Sequence, residues 1–286
     1  MAVDLHTHSD VSDGSASPSS IIDLAAAARL TAVALTDHDT LVGIEEARTR
    51  AEEIGLRLIP GVELSCEWVQ GGCHMVVLWL EPGPGPLQDK LAALQVARDG
   101  RNDRILARLA TLGIEITAEE LAAQSGGGVT GRPHIAALMV EKGAVASVRQ
   151  AFDEYLGNGK PAYVGRERLG PEEAIDLAAQ SGAVTVLAHP HTLGLDNADA
   201  FRRALAGLAE AGLSGMECWY GEYSPAYRQS MVSVARSHGL VPSGGSDYHG
   251  TYKPGLSLGT GRGDLVVPDH VLNELEARRP AAPHRS

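Results

Sequence analysis

The feature that most constrains this chain is a rhythm in which short apolar runs alternate with amphipathic stretches, with a histidine or an acid at the end of run after run. Residues 2–5 form the first run. Ser17-Pro18 then supplies an N-cap and a first helical residue for a helix reaching residue 30. A second strand at 32–36 is followed by a helix over about 41–54, and residues 56–64 and 74–80 read as further strands. The rhythm resumes where Gly170-Pro171-Glu172-Glu173 opens a helix that ends near Gly182. After it come a strand at 183–188, a helix over 199–211 and a strand at 214–218. A helix at 225–238, a short strand at 240–242 and a closing helix over about 268–278 complete the pattern. Alternation of this kind predicts an α/β fold, a parallel sheet or barrel with helices outside.

The middle of the chain breaks the rhythm. Residues 86–164 read as helical almost throughout, between Pro82-Gly83-Pro84-Gly85-Pro86 and Gly157-Asn158-Gly159-Lys160-Pro161. The expected organisation is a barrel built from 1–85 and 165–286, carrying a helical insertion at 86–164 that serves as a lid or specificity element.

Composition narrows the function. A formal charge of −12 argues against a basic face that coats nucleic acid, and aromatics at 4% leave little material for a long base-stacking groove. A small pocket is favoured over a long surface, and no long duplex partner is expected. No apolar stretch approaches membrane-spanning length, and the opening MAVDLHTHSD lacks a basic segment followed by an apolar run, so no secretory signal is expected. Cys66, Cys73 and Cys218 show no C-x-x-C spacing and read as reduced thiols in a cytoplasmic protein. Cys73 stands out because it precedes His74.

The histidines carry the chemistry. His6-Thr7-His8 ends the first run, and residues i and i+2 of a strand point to one side, so both imidazoles can reach one cation. Asp13 lies in the next loop, Asp37-His38-Asp39 follows the second strand, and Glu63 lies near the end of the third. His74 begins the fourth, His189-Pro190-His191 ends the strand at 183–188, and Asp247-Tyr248-His249 follows the strand at 240–242. In a parallel barrel the carboxyl ends of the strands converge on one rim, where active sites are built. Seven of eleven histidines fall in this set, a gathering that core histidines scattered for packing would not produce. His74, at the start of a strand, fits only if that strand runs the other way or a loop folds inward. Asp4, Asp37 and Asp39 could orient ligand imidazoles or serve as ordinary turn and cap residues.

HTHSDVSDGS, LTDHDT, GVELS, AHP and SGGSDYHG, in that order, resemble the successive motifs of the polymerase and histidinol phosphatase (PHP) family. The resemblance spans nearly the whole chain and implies a distorted (β/α)7 barrel with a three-metal site. It implies that His6, His8, Glu63 and Asp247 hold a first metal, and that Glu63 bridges to a second held by His74 and His189. Asp13, His38 and His249 would hold a third. Asp13 stands where some members have histidine, and an oxygen ligand shifts preference from zinc toward harder ions. Mn2+ is therefore expected, with Zn2+ or Fe2+ as occasional occupants. Three divalent cations among three ligand carboxylates would make the mouth of the site positive within an acidic protein. Bridged cations of this kind activate a water as hydroxide and clamp phosphoryl oxygens, so the expected activity is phosphate ester hydrolysis. The candidate catalytic residues are His191, Asp247 and His249; the leaving oxygen could be protonated by His191 or bound by the third metal.

Inside the insertion, Gly131-Arg132-Pro133-His134 opens a helix, and a helix N-terminus beside an arginine is an anion site. The segment GRPHIA resembles the subgroup of the family that acts on nucleoside 3′,5′-bisphosphates, removing the 3′-phosphate, some members also trimming short RNA from the 5′ end. In that reading Arg132 and His134 grip the phosphate that is not cleaved, with Lys160 as a further candidate. Tyr163 and Tyr248 read as core or rim residues rather than partners of a base. The expected partner is a small phosphorylated substrate, a nucleotide or short oligonucleotide, with no obligate protein partner. The alternatives are a phosphatase for histidinol phosphate or another small molecule, a non-catalytic module of the kind attached to DNA polymerases, and an amidohydrolase. The last commonly bridges its metals with a mid-barrel lysine, and none of Lys90, Lys142, Lys160 and Lys253 falls at a barrel strand end.

Overall fold

The computed structural model describes residues 2–124, 130–165 and 167–280. Strand alternation builds the barrel wall. In β2 (Ala32–Leu35), after β1 (Ala2–Asp4) and α1 (Pro18–Ala27), Ala32 and Ala34 join the lumen core with Val3 and Leu5. Val33 and Leu35 face the other way, packing with Ile21, Ile22 and Ala25 of α1 and with Ile44, Ala47 and Ala51 of α2 (Ile44–Ile54). Side chains two apart share a face, so one short strand feeds both cores. Along β3 (Arg57–Cys66), Ile59 shares the lumen face with Glu63 two pairs on, and in β4 (Cys73–Leu78) Val76 and Leu78 share it with His74.

The helices α3 (Pro86–Thr111), α4 (Ala118–Gln124), α5 (Arg132–Glu141) and α6 (Val148–Ala151) follow, the last running into a π turn at Phe152–Leu156. The βα rhythm returns with α7 (Pro171–Gln180), β5 (Val184–Ala188), α8 (Ala198–Glu210), β6 (Gly215–Tyr220), α9 (Pro225–Ser237) and β7 (Val241–Gly245). β8 (Val267–Pro268) and α10 (His270–Glu276) close the chain. The polypeptide forms two compact units, Met1–Asp89 with Leu169–Ser286, and Lys90–Arg168. The second has its own core, in which Ile105 and Leu109 pack with Ile135, Met139 and Leu156. No helix among the described residues is long and apolar enough to cross a membrane.

The eight strands lie in the order β7-β6-β5-β4-β3-β2-β1-β8. β1, β2 and β3 are parallel, as are β5, β6 and β7, while β4 is antiparallel to both of its neighbours. Beyond β7 the chain returns to β1: Leu5 N donates to Gly244 O (3.2 Å) and Asp247 N to His6 O (2.9 Å), and Thr7 bridges Tyr248 in parallel. Seven strands thus nearly close on themselves, the distorted barrel expected, and the reversed β4 is the distortion. That reversal brings the start of β4 to the rim where the other strands end, and His74 sits opposite Ser65 on one side and Ala188 on the other.

Several strand ends shift by a few residues, β7 reaching Gly245 rather than residue 242, and three helix ends differ for a visible reason. α1 stops at Ala27 because Arg29 turns left-handed (φ 56°) to feed β2. α2 starts at Ile44 because the segment before it leaves the strand through left-handed Asp39 (φ 54°). The closing helix starts only at His270, since Val267 and Pro268 pair with β1 as β8.

Closure leaves no room between β7 and β1. A Cβ on Gly245 would lie 2.5 Å from the His6 Cβ and 2.6 Å from its N. Gly245→Ala is expected to lose about 1–3 kcal/mol in urea unfolding, the cost of overpacking a tight contact. Gly207→Ala, in open space on α8, is expected to gain about 0.5–1 kcal/mol from helix propensity. Equal effects of the two would refute a closed β7–β1 seam.

Candidate metal centre

Loops at the barrel rim carry the donors. His6 and His8 leave β1, and Asp13 follows in a turn closed by Ser12 N and Gly14 N on Ser9 O (3.2 and 2.8 Å). His38 leaves β2 and bridges Glu63 of β3 in parallel; His189 leaves β5; Asp247 and His249 follow β7. Three rim residues have left-handed backbone, Asp39 (φ 54°), His189 (φ 24°) and Asp247 (φ 54°). Non-glycine residues adopt such angles at a cost of order 1–3 kcal/mol, and they cluster where a side chain must be aimed.

Glu63, buried at 1% exposure, is the hub. Its Oε1 lies 2.8 Å from His74 Nδ1 and 2.9 Å from His189 Nε2. Its Oε2 lies 3.1 Å from His6 Nε2, 3.1 Å from His8 Nε2 and 3.2 Å from His38 Nδ1. Donor atoms gather into four groups, each within 4.8 Å: His8, Asp13, His38 and His249; His6, His8 and Asp247; His6, Glu63 and His189; His38, Glu63 and His74. The structure therefore brings together all nine residues expected as ligands, with Glu63 shared between two groups and His8 between two more.

The facing atoms call for cations or protons between them. His6 Nδ1 donates to Glu217 Oε1 (2.9 Å), which leaves Nε2 facing His8 Nε2 (3.0 Å), Glu63 Oε2 and Asp247 Oδ1 (3.7 Å). His249 Nδ1 donates to the Asp247 carbonyl (2.9 Å), which aims Nε2 at Asp13 Oδ1 (3.3 Å). His189 Nδ1 meets Thr192 Oγ1 (3.2 Å), which aims Nε2 at Glu63. Acceptors packed against acceptors require positive charge between them. His8 Nδ1 and His38 Nδ1 are buried without an aligned hydrogen-bond partner, a costly state for a polar atom unless an ion or proton claims it. Every donor is nitrogen or oxygen, a set suited to Mn2+, Fe2+ or Zn2+.

The electrostatics show what the cluster is short of. Burial alone would raise the Glu63 carboxyl, yet His38, His6 and His74 hold it well below its ordinary range. Asp13 and Asp247 are likewise depressed against their burial, Asp13 by His249 and His38, Asp247 by His6 and His8. His8 is pushed down to about 3, first by burial and then by His249, so it is a neutral imidazole with a lone pair to give. His6 is raised well above its ordinary value, Glu217 and Glu63 overcoming burial. Two buried carboxylates, the half-exposed Asp13 and a ring of imidazoles are a site for cations.

Sequence reasoning misses the residues that aim the ligands. Glu217 of β6, 1% exposed, accepts from His6 Nδ1 and from His189 N (2.6 Å), fixing two ligands at once. An acid inside the apolar run 214–218 is the signal that could have found it. Asp247 Oδ2 is held by Tyr220 Oη (2.8 Å) and by Lys253 Nζ. Asp4 and Asp37 instead anchor backbone and hydroxyls: Asp4 accepts from Ser246 N (2.8 Å) and Gly259 N (2.7 Å), Asp37 from Ser9 N (2.7 Å) and Ser12 Oγ (2.7 Å). Asp39 accepts from Ser65 N (3.3 Å). Cys73 faces Cys66 across the β3–β4 ladder, on the side opposite His74.

His191 stands beside the cluster, its ring 6.1 Å from that of His189. Tyr223 Oη accepts from His191 N (3.4 Å) and lies 2.8 Å from its Nδ1. Burial keeps the Tyr223 phenol protonated by raising it, and lowers His191. A neutral His191 that accepts the phenol proton at Nδ1 carries its own hydrogen on Nε2, the atom available to a leaving oxygen.

The three residues expected to contact substrate belong to the second unit. Arg132 is the first residue of α5; its Nη1 donates to Leu156 O (3.0 Å), and its guanidinium lies over Phe152 (5.7 Å) and Tyr163 (5.4 Å). His134 Nδ1 accepts from Gly131 N (3.2 Å), closing the helix start. Lys160 is exposed in the loop after the π turn.

Glu217→Gln removes the charge that His6 Nδ1 donates to while keeping the side-chain size. Its expected effect is a 10–100-fold weaker Mn2+ affinity by calorimetry, the usual scale for loss of a carboxylate behind a ligand histidine. Unaltered affinity in a folded variant would exclude an aiming role.

Comparison with known proteins agrees with this geometry. The PHP domain model matches residues 4–158. The 3′,5′-nucleoside bisphosphate phosphatase of Chromobacterium violaceum is 33% identical over 98% of this chain and 99% of its own length. The 5′-3′ exoribonuclease Rnm of Salmonella typhimurium is 36% identical over 86% of this chain and 84% of its own. A solved structure from Bifidobacterium adolescentis, described as a metal-dependent phosphoesterase, superposes with a TM-score of 0.79 at 29% identity, covering 98% of this chain and 96% of that one. With a rim of imidazoles and carboxylates on a seven-strand barrel and relatives matched end to end, the chain belongs to the PHP family of metal-dependent phosphoesterases.

Proposed function

We propose that this phosphoesterase removes the 3′-phosphate of nucleoside 3′,5′-bisphosphates and also trims short RNA from the 5′ end. The observation that carries the reading is the end-to-end similarity to the bisphosphate phosphatase of Chromobacterium violaceum, 33% identical over nearly the full length of both chains. The similarity to the exoribonuclease Rnm supports the second activity. In this reading His6, His8, Glu63 and Asp247 hold one divalent cation, Glu63 with His74 and His189 a second, and Asp13, His38 and His249 a third. Mn2+ is the preferred ion because three carboxylates contribute oxygen. When bound, the ions supply Lewis acidity toward the phosphoryl group and its attacking water.

The chain's own groups do the rest. Glu217, Tyr220 and Lys253 hold ligand side chains in place. His191 Nε2–H hydrogen-bonds the leaving oxygen and steadies its developing charge, while the proton that oxygen takes up comes from solvent. Arg132 and His134 bind the 5′-phosphate that stays on the product, Lys160 adds a further positive charge, and the helical unit acts as the specificity element. A cytoplasmic location accords with Cys66, Cys73 and Cys218 being reduced thiols.

Phosphate release from adenosine 3′,5′-bisphosphate, histidinol phosphate and other monoesters, with Mn2+ and after chelation, tests the reading. The expected result is 3′-specific release from the bisphosphate that chelation abolishes and Mn2+ restores. Arg132→Ala should raise KM for the bisphosphate about tenfold or more, the scale of one hydrogen bond to a charged group, and barely affect a nucleoside 3′-monophosphate. Faster turnover of histidinol phosphate would replace this reading with a small-molecule phosphatase.

A further inference from the structure

We propose that a cavity between α8 and α9 is the subsite for the substrate's nucleobase; this rests on the nucleotide reading above and adds the residues that would recognise the base. The cavity has a volume of about 230 Å³. His191 lines its rim, Phe201 and Arg202 of α8 form one wall, and Tyr227, Met231 and Val234 of α9 form the other. Sites for whole drug-sized ligands run to roughly 300–1,000 Å³, so this one suits part of a ligand whose remainder lies elsewhere.

Its position says where that remainder lies. The metal-ligand candidate His189 has its ring 6.1 Å from His191, His191 is 5.4 Å from Tyr223, and Tyr223 is 4.7 Å from Tyr227. His191, beside the ring of His189, also lines the cavity, so it stands between the metal centre and the cavity. A substrate whose phosphate sits among the ligands extends its organic part past His191 toward the cavity.

Its chemistry says what that part is. The chain contains two phenylalanines and seven tyrosines, and Phe201 and Tyr227 are placed where water still reaches them. Phe201 is half-buried, and Tyr227 is 43% exposed. In a protein so poor in aromatics, two rings left beside a small cavity need a use other than core packing. Met231 supplies a polarisable floor. Arg202 brings the planar guanidinium among the six named groups, its Nη1 on Asp199 Oδ1 (3.1 Å). A phosphate site would need several converging donors, and an aliphatic group would not need an arginine. Flat apolar walls with a hydrogen-bonding edge match a planar heterocycle, and base–aromatic stacking tolerates any base.

The test compares adenosine 3′,5′-bisphosphate with the 1-deoxyribose 3,5-bisphosphate that lacks the base, in wild type, Phe201→Ala, Tyr227→Ala and Tyr227→Phe. Adenosine binding to metal-free protein, read by ligand-observed NMR, is followed in parallel. Wild type is expected to favour the nucleotide about tenfold in KM, the order of one stacking contact. Phe201→Ala and Tyr227→Ala should each narrow that gap to near unity and weaken adenosine binding, while Tyr227→Phe, which keeps the ring, should preserve both. If wild type hydrolyses both bisphosphates equally well, or the alanine variants slow both alike, the base subsite is wrong and the bisphosphate phosphatase reading stands. If neither bisphosphate is hydrolysed while another phosphate ester is, both fall together.

Discussion

Everything at the rim is arranged around one buried carboxylate. Glu63 takes five imidazole nitrogens within 3.2 Å, and no uncompensated charge survives at 1% exposure. Burying an ion in a low-dielectric interior costs several kcal/mol unless partners of opposite sign replace its water. Neutral imidazoles alone do not supply that charge. The cluster is stable as a whole only with cations or protons among its donors, which makes ion binding part of this half of the fold rather than an addition to it.

The topology exists to deliver those donors. Six of the seven barrel strands run one way, so His6, His8, His38, Glu63, His189, Asp247 and His249 all emerge at one end. Reversing β4 adds a donor from the start of a strand, because a hairpin returns the chain within a few residues and puts His74 directly beside the end of β3. The left-handed residues Asp39, His189 and Asp247 lie where strand turns abruptly into loop, and each bends the chain so that a neighbouring or own side chain points inward.

Much of this arrangement is legible in the amino-acid sequence. Ligand candidates are visible because strand ends are marked by apolar runs, and a metal-binding histidine has no reason to recur there otherwise. Fold class follows from the same alternation. The helices that start at Ile44 and His270 are expected a few residues too early because amphipathic pattern extends over backbone that is not yet helical: Asp39 turns left-handed ahead of the first, and Val267 is claimed by β1 ahead of the second. Glu217 escapes because a single acid within a strand looks like an exposed alternation partner. Only the three-dimensional pairing with a residue 211 positions away reveals its function. Asp4 and Asp37 are ambiguous for the converse reason: an acid beside a ligand can serve either an imidazole or the backbone, and burial with several N–H donors decides for the backbone.

The residues behind the ligands determine what the ligands can be. A histidine offers one lone pair only when its other nitrogen is committed to donating, so Glu217 on His6, the Asp247 carbonyl on His249 and Thr192 on His189 each convert an ambiguous ring into a directed donor. His191 is set the opposite way. Where Tyr223 donates to its Nδ1, the neutral ring keeps its hydrogen on the outward nitrogen, so two histidines separated by one proline on the same loop present opposite faces, one a lone pair and one an N–H. The difference comes from their second partners alone, a threonine hydroxyl that accepts and a phenol that donates. Chemical role at this rim therefore depends on hydrogen-bond direction one layer out, not on which residue type occupies the loop.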